Sequence, residues 1–163
     1  MLKSILAASD LSIRSKPAVQ RGIQLAKAHE AHLCVLNVVE EDLLGDRMYA
    51  EIGRIEGDLT SQVEGLGRPE GCEVAVLSGH AFHTISEEAR VRAADLIIMG
   101  VHRRQALRDI FIGTTIERVV RTAGRPVLMA NSKTGERWRK VLIATDLSES
   151  SRHAAQTVQA LGL

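Results

Sequence analysis

Apolar and polar positions follow two rhythms along the chain. Short apolar-rich runs cover residues 5–9, 33–39, 72–78, 95–101 and 126–130, and only Asn37 interrupts the second. Runs of this length without strict alternation suit strands buried on both faces, as in a parallel sheet. Between them the spacing turns helical. Ala18, Ile23, Leu25 and Ala26 form an apolar set after the first run, with Arg14, Lys16, Arg21 and Lys27 as polar positions. The series Leu44, Met48, Ile52, Ile55, Leu59, Val63 and Leu66 steps by four and three onto one stripe, leaving Glu51, Arg54 and Asp58 off it. Gly65, Gly67, Pro69 and Gly71 punctuate its end. Further helices are predicted over 82–93 and 115–123.

The alternation reads βαβαβαβαβ. Consecutive parallel strands with helical crossovers predict an α/β fold, an open five-stranded parallel sheet with helices on both faces. Ligands of such sheets bind beyond the carboxyl ends of the strands, where the strand order reverses. Asp10, Asn37, Val38, Gly79 and Gly100 lie at or just past predicted strand ends.

The polar stretch around residues 132–138 reads as a linker, and the segment beyond it repeats the beginning of the chain. Residues 3–25 align without gaps to 139–161. Identical pairs include Leu6/Leu142, Ala8/Ala144, Asp10/Asp146, Leu11/Leu147, Ser12/Ser148, Ser15/Ser151 and Ala18/Ala154. Unrelated sequences would match about once or twice over such a stretch, so the repeat is genuine. The domain plan is therefore one domain over 1–131, a linker, and a partial second copy over 139–163 with only its first strand and helix. A lone βα unit cannot bury its own apolar face, so it must dock on something or stay loosely ordered.

Composition narrows the function. The chain has 163 residues, enough for one well-buried domain. Aromatic residues make up 2%, a poor platform for stacking single-stranded nucleic acid. A net charge of +1 gives no field that would draw DNA or an acidic membrane. Cys34 and Cys72 sit in apolar runs and are expected as buried, reduced thiols. No apolar stretch reaches the length of a membrane span and no signal peptide is visible, so a cytoplasmic protein is expected.

The stretch richest in chemistry is Met99-Gly100-Val101-His102-Arg103, followed by Gly113-Thr114-Thr115 at the head of a helix. Thr114 with Glu117 makes a capping-box pattern. A helix N-terminus exposes unpaired N–H groups that suit phosphate, and glycine lets a ligand approach the backbone. Capped helices after glycine are common, however, and alone this pattern is weak.

In its full setting the stretch resembles the signature of the universal stress protein family, in which a glycine after the fourth strand, a spaced glycine, and then glycine with Ser or Thr follow one another. Gly100, Gly113 and Thr114 match it, as do the runs 94–100, 117–120 and 125–128 and the Ser9-Asp10-Leu11-Ser12 turn. The resemblance covers residues 3–131 and begins again at 139, as in tandem members. It implies an adenine nucleotide alpha hydrolase-like fold with strand order 3-2-1-4-5. It also implies ATP or a related adenine nucleotide as ligand, with magnesium as its companion ion. Carried over by position, adenosine contacts fall on Asp10, Val38 and Met99, and ribose and phosphate contacts on Gly100, Gly113, Thr114 and Thr115. His102 and Arg103 lie in the same loop. Arg103 replaces the second motif glycine, which leaves three readings open: it supplies charge to a triphosphate, fills the space one needs, or is solvated. For Asp10 an Asx-turn closing the first βα loop is the plainer alternative.

His80 and His83 lack the cysteine or carboxylate that would complete a metal set. No nucleophile elbow, catalytic triad or Walker loop is present. The expectation is thus a stress-response protein that binds nucleotide without efficient catalysis. It would act through partner contacts or as a homodimer paired through the fifth strand, with no nucleic acid and no membrane involved. Two alternatives stand beside it: an interaction module of the same fold without nucleotide, and a slow ATPase.

Overall fold

A computed structural model describes residues 2–40, 46–101, 115–131 and 140–160. The strands are β1 (Ser4–Ala8), β2 (His32–Val39), β3 (Cys72–Ser78), β4 (Leu96–Gly100) and β5 (Val127–Ala130). The helices are α1 (Lys16–His29), α2 (Asp46–Gly65), α3 (Ala81–Val91), α4 (Thr115–Thr122) and α5 (Glu149–Ala160). All strand pairs are parallel, and their order is β3-β2-β1-β4-β5. The expected fold class and strand order are both present. The linker over 132–138 lies outside the described residues.

Strand periodicity divides the core in two. Ile5, Ala7, Leu33, Val35, Leu96 and Ile98 pack on one side of the sheet with Val19 and Ile23 of α1 and Leu59 and Val63 of α2. The alternate residues Leu6, Cys34, Leu36, Ile97 and Met99 face the other side, with Ile85 and Ala89 of α3 and Val119 of α4. Successive strand side chains point to opposite faces, so a strand covered on both sides needs apolar residues at every position. Each fully buried Leu, Ile or Val is worth roughly 1.5–3 kcal/mol. Among the aliphatic contacts, an added Cβ at Gly22 would stand 3.1 Å from Leu33 Cδ1 and 3.2 Å from Ala7 Cβ. That glycine lets α1 lie close against β1 and β2.

Two strands begin one residue inside the predicted limits. Asp95 precedes β4 and uses its carboxylate to accept the Lys3 and Ser4 N–H groups, at 2.7 and 3.0 Å. Pro126 precedes β5, where its carbonyl accepts the Ile97 N–H at 3.0 Å. Both thiols are buried and unpaired, as expected from their apolar runs. Burial pushes the Cys34 thiol up to about 12.

In the repeated segment the helix forms as α5, but residues 140–146 belong to no strand. Leu142, the counterpart of fully buried Leu6, is 95% exposed, and α5 buries no side chain. The strand expected there is a central one in β1, hydrogen-bonded on both sides to β2 and β4. Without such neighbours its backbone has no ladder to join.

Candidate functional site

The sheet reverses its winding between β1 and β4, and the chain beyond β1 is organised there by hydroxyl groups. Ser9 is buried; its N–H donates to the Leu36 carbonyl at 2.9 Å. Its carbonyl accepts the buried Asn37 amide at 2.8 Å, which ties the loop to β2. Leu11 turns through a left-handed conformation, φ 61°, and donates its N–H to Ser9 Oγ at 3.2 Å. Asp10 Oδ1 accepts the Ser12 N–H at 3.0 Å, the Asx-turn that a bare reading of the sequence offers. Ser15 finishes the loop. Its hydroxyl lies 3.2 Å from that of Ser9, accepts the Asp10 N–H at 3.3 Å and donates to the Ser12 carbonyl at 3.1 Å.

These bonds fix the charge on Asp10. Burial raises its pKa, but the bonds from Ser12 and Ser15 and the neighbouring N–H groups outweigh it, so the carboxyl sits below the ordinary aspartate range. At neutral pH Asp10 is an anion that only accepts hydrogen bonds.

A crevice of about 370 Å³ opens beside this loop, at the carboxyl ends of β1, β2 and β4. Such a volume suits a small-molecule site. Leu36, Val38, Ile85 and Met99 supply apolar surface; Ser9, Asp10, Arg14 and Ser15 border it from the loop. Gly100, Val101 and Thr115, the first residue of α4, complete the described rim. The structure thus brings Asp10, Val38, Met99, Gly100 and Thr115 together. His102, Arg103, Gly113 and Thr114 lie outside the described residues. Asn37 and Gly79 do not line the crevice: Asn37 is spent on the Ser9 carbonyl, and the Gly79 N–H donates to Val39.

Gly100 has a role besides ligand approach. A Cβ there would stand 2.3 Å from the Arg14 carbonyl oxygen and 2.8 Å from Ser15 Cα. The chain leading into α1 passes directly over the end of β4, and only glycine permits it. The contributions of Ser9, Arg14 and Ser15 to the crevice went unread in the sequence. One signal was there: Ser15 and Ser151 are an identical pair in the repeat.

The repeat rebuilds several bonds of the loop. Thr145 and Ser151 hydroxyls lie 3.0 Å apart, Leu147 at φ 64° donates to Thr145 Oγ1 at 3.0 Å, and Ser148 donates to Asp146 Oδ1 at 2.9 Å.

His80 and His83 are not among the residues lining the described crevice. His80 stands at the N-cap position of α3 without a side-chain cap bond, and His83 meets the edge of the Phe82 ring. Among the described residues no group of His, Cys, Asp or Glu could hold a metal ion, and no helix is long and apolar enough to cross a membrane.

The sequence profile described as the Universal stress protein family matches residues 1–131. A Thermus aquaticus protein described as a universal stress protein in the 3′ region of QAH/OAS sulfhydrylase is 32% identical over 136 residues, covering 79% of this chain and 98% of that one. Among solved structures, a universal stress protein in complex with cAMP superposes with a TM-score of 0.67 at 22% identity, covering 80% of this chain and 97% of that one. The universal stress protein of Archaeoglobus fulgidus in complex with dAMP gives 0.61 at 17% identity, covering 80% and 98%.

Proposed function

Because the chain belongs to the universal stress protein family, we propose that it is a stress-response protein that binds ATP or a related adenine nucleotide without efficient catalysis. The observation that carries this is the crevice at the β1–β4 reversal, where a carboxylate held ionised faces apolar surface. Two proteins of the same fold have solved structures in complex with cAMP and dAMP, which supports an adenine nucleotide as the ligand class.

In this reading the base packs against Val38 and Met99, and Asp10 accepts hydrogen bonds from donor groups of the adenosine. The head of α4 at Thr115 offers N–H groups to phosphate. Magnesium would arrive on the phosphates, since the described crevice contributes one carboxylate and no metal cluster. The absence of efficient hydrolysis is supported by the same carboxylate. Asp10 is committed to the Ser12 N–H and held at low pKa, a weak base for activating water. The protein then acts by what occupancy does to its contacts. The Val127–Ala130 edge, with Met129 56% exposed, supports pairing with a second copy.

The deciding experiment is calorimetric titration with ATP, AMP and cAMP, alongside phosphate release over hours. Saturable binding that Asp10→Ala weakens, with negligible turnover, is expected. No saturable binding at millimolar nucleotide would leave the pure interaction module as the reading; turnover abolished by Asp10→Ala would make it an ATPase.

A further inference from the structure

We infer that Arg14 is a phosphate-holding side chain of this crevice, so that the site selects a phosphorylated nucleoside over the bare nucleoside. The inference rests on the adenine-nucleotide reading above and adds to it a residue and a selectivity.

The backbone of Arg14 is pinned. Its carbonyl lies against Gly100, where any Cβ would collide at 2.3 Å, and its N–H donates to Ser12 Oγ at 3.2 Å. The residue is exposed and borders the crevice. Several arginines elsewhere close onto acids: Arg54 on Glu51 and Asp58, Arg90 on Glu87, Arg92 on Glu73 and Glu88. Among the described residues Arg14 has no such partner. A guanidinium offers five N–H donors in a fork that matches phosphate oxygens.

Charge orients the ligand. Asp10 and Arg14 are the two charged side chains of the described crevice. Asp10, an anion, repels phosphate and accepts from hydroxyl or amino donors, while Arg14 does the reverse. A molecule with neutral donors at one end and an anion at the other fits this pair. A bare nucleoside satisfies only Asp10.

The repeat shows that the loop does not need this arginine. Ser150 occupies the aligned position, yet the Thr145–Ser151, Leu147–Thr145 and Ser148–Asp146 bonds all form. Arg14 is therefore dispensable for the turn and available for a ligand. Ser150 also names the substitution that the turn tolerates.

The test titrates the full chain and its Arg14→Ser and Arg14→Lys variants with AMP and with adenosine, at low and moderate salt. Wild type is expected to bind AMP at least about tenfold more tightly than adenosine, a difference of about 1.4 kcal/mol, and to lose part of that advantage as salt rises. Arg14→Ser should bring AMP close to adenosine's affinity and shift adenosine less than twofold. Arg14→Lys should keep part of the preference. Equal AMP binding by wild type and Arg14→Ser overturns the inference while leaving the nucleotide reading intact, as does a parallel loss for both ligands. Failure of wild type to bind either ligand at millimolar concentration removes the nucleotide reading itself.

Discussion

One Cα hydrogen of Gly100 points at the Arg14 carbonyl oxygen, where a methyl group would lie only 2.3 Å away. The collision partner is backbone, held by the Ser12 bonds to Arg14 and Ser15, so it has little freedom to retreat. Gly100→Ala is expected to destabilise the protein by about 1–3 kcal/mol or more, the usual range for overpacking. Chemical denaturation checks the loss, and nucleotide titration of the folded fraction should show weakened binding because β4 and the loop must part.

Asn37 makes a prediction of the opposite kind, a missing partner. Asn37→Leu fits a buried site but leaves the Ser9 carbonyl without its 2.8 Å donor. A cost of about 1–3 kcal/mol is expected. Because Ser9 adjoins Asp10, nucleotide affinity should fall as well, although residue 37 does not line the crevice.

Acid should act through Asp10 in a definite direction. Its folded pKa lies below the unfolded value, so its bonds stabilise the protein above the ordinary aspartate range and are lost as pH falls through the lowered folded value. Asp10→Asn should therefore differ most from wild type near neutrality, with the gap closing below about pH 4. Carboxyl-carbon NMR titration gives an internal comparison. Asp146, in the repeated loop, is held at about 2, chiefly by its Ser148 bond, and both residues should titrate below the ordinary aspartate range.

Cys34 offers a chemical reporter of the core. Burial pushes its thiol up to about 12, and that of Cys72 is also raised, so neither presents thiolate at neutral pH. Labelling by a thiol reagent should be slow in the native protein and rapid in denaturant. Fast native labelling of Cys34 would show that the sheet opens at β2.

The edge at β5 can be tested with one charge. If two copies pair there, Met129→Lys should move a dimer to monomer in sedimentation at tens of micromolar, with little change in thermal stability of the fold. A wild-type protein that sediments only as monomer would end that reading.

The sequence made the scaffold readable because each central strand carries its burial on every residue. Leu33 through Leu36 suit a strand covered on both faces, and the helix stripe through Leu59 and Val63 named the surface that covers one of them. Asp10, Val38 and Gly100 were legible as strand-end residues, and Met99 through the family resemblance. The rest of the crevice was not. Arg14 and Ser15 reach it because the approach to α1 crosses the end of β4, a contact between segments far apart in sequence. Gly100 read as room for a ligand and proved also to be room for the Arg14 backbone. In the repeat, residues 140–146 carry a strand-like apolar pattern, but a pattern does not supply neighbours to pair with.

The serine-rich turn also bears on how the chain acquires its shape. The hydrogen bonds within it span only two to six residues, and its copy at Thr145–Ser151 closes without a sheet beneath it. Loops of this size close in about 10–100 ns. The bond from Ser4 to Asp95 instead spans 91 residues, and it belongs to the β1–β4 contact that completes the sheet. The ligand-facing turn is thus set early and locally, and the crevice comes into being only when the slow, long-range pairing of β1 with β4 brings the far wall to it.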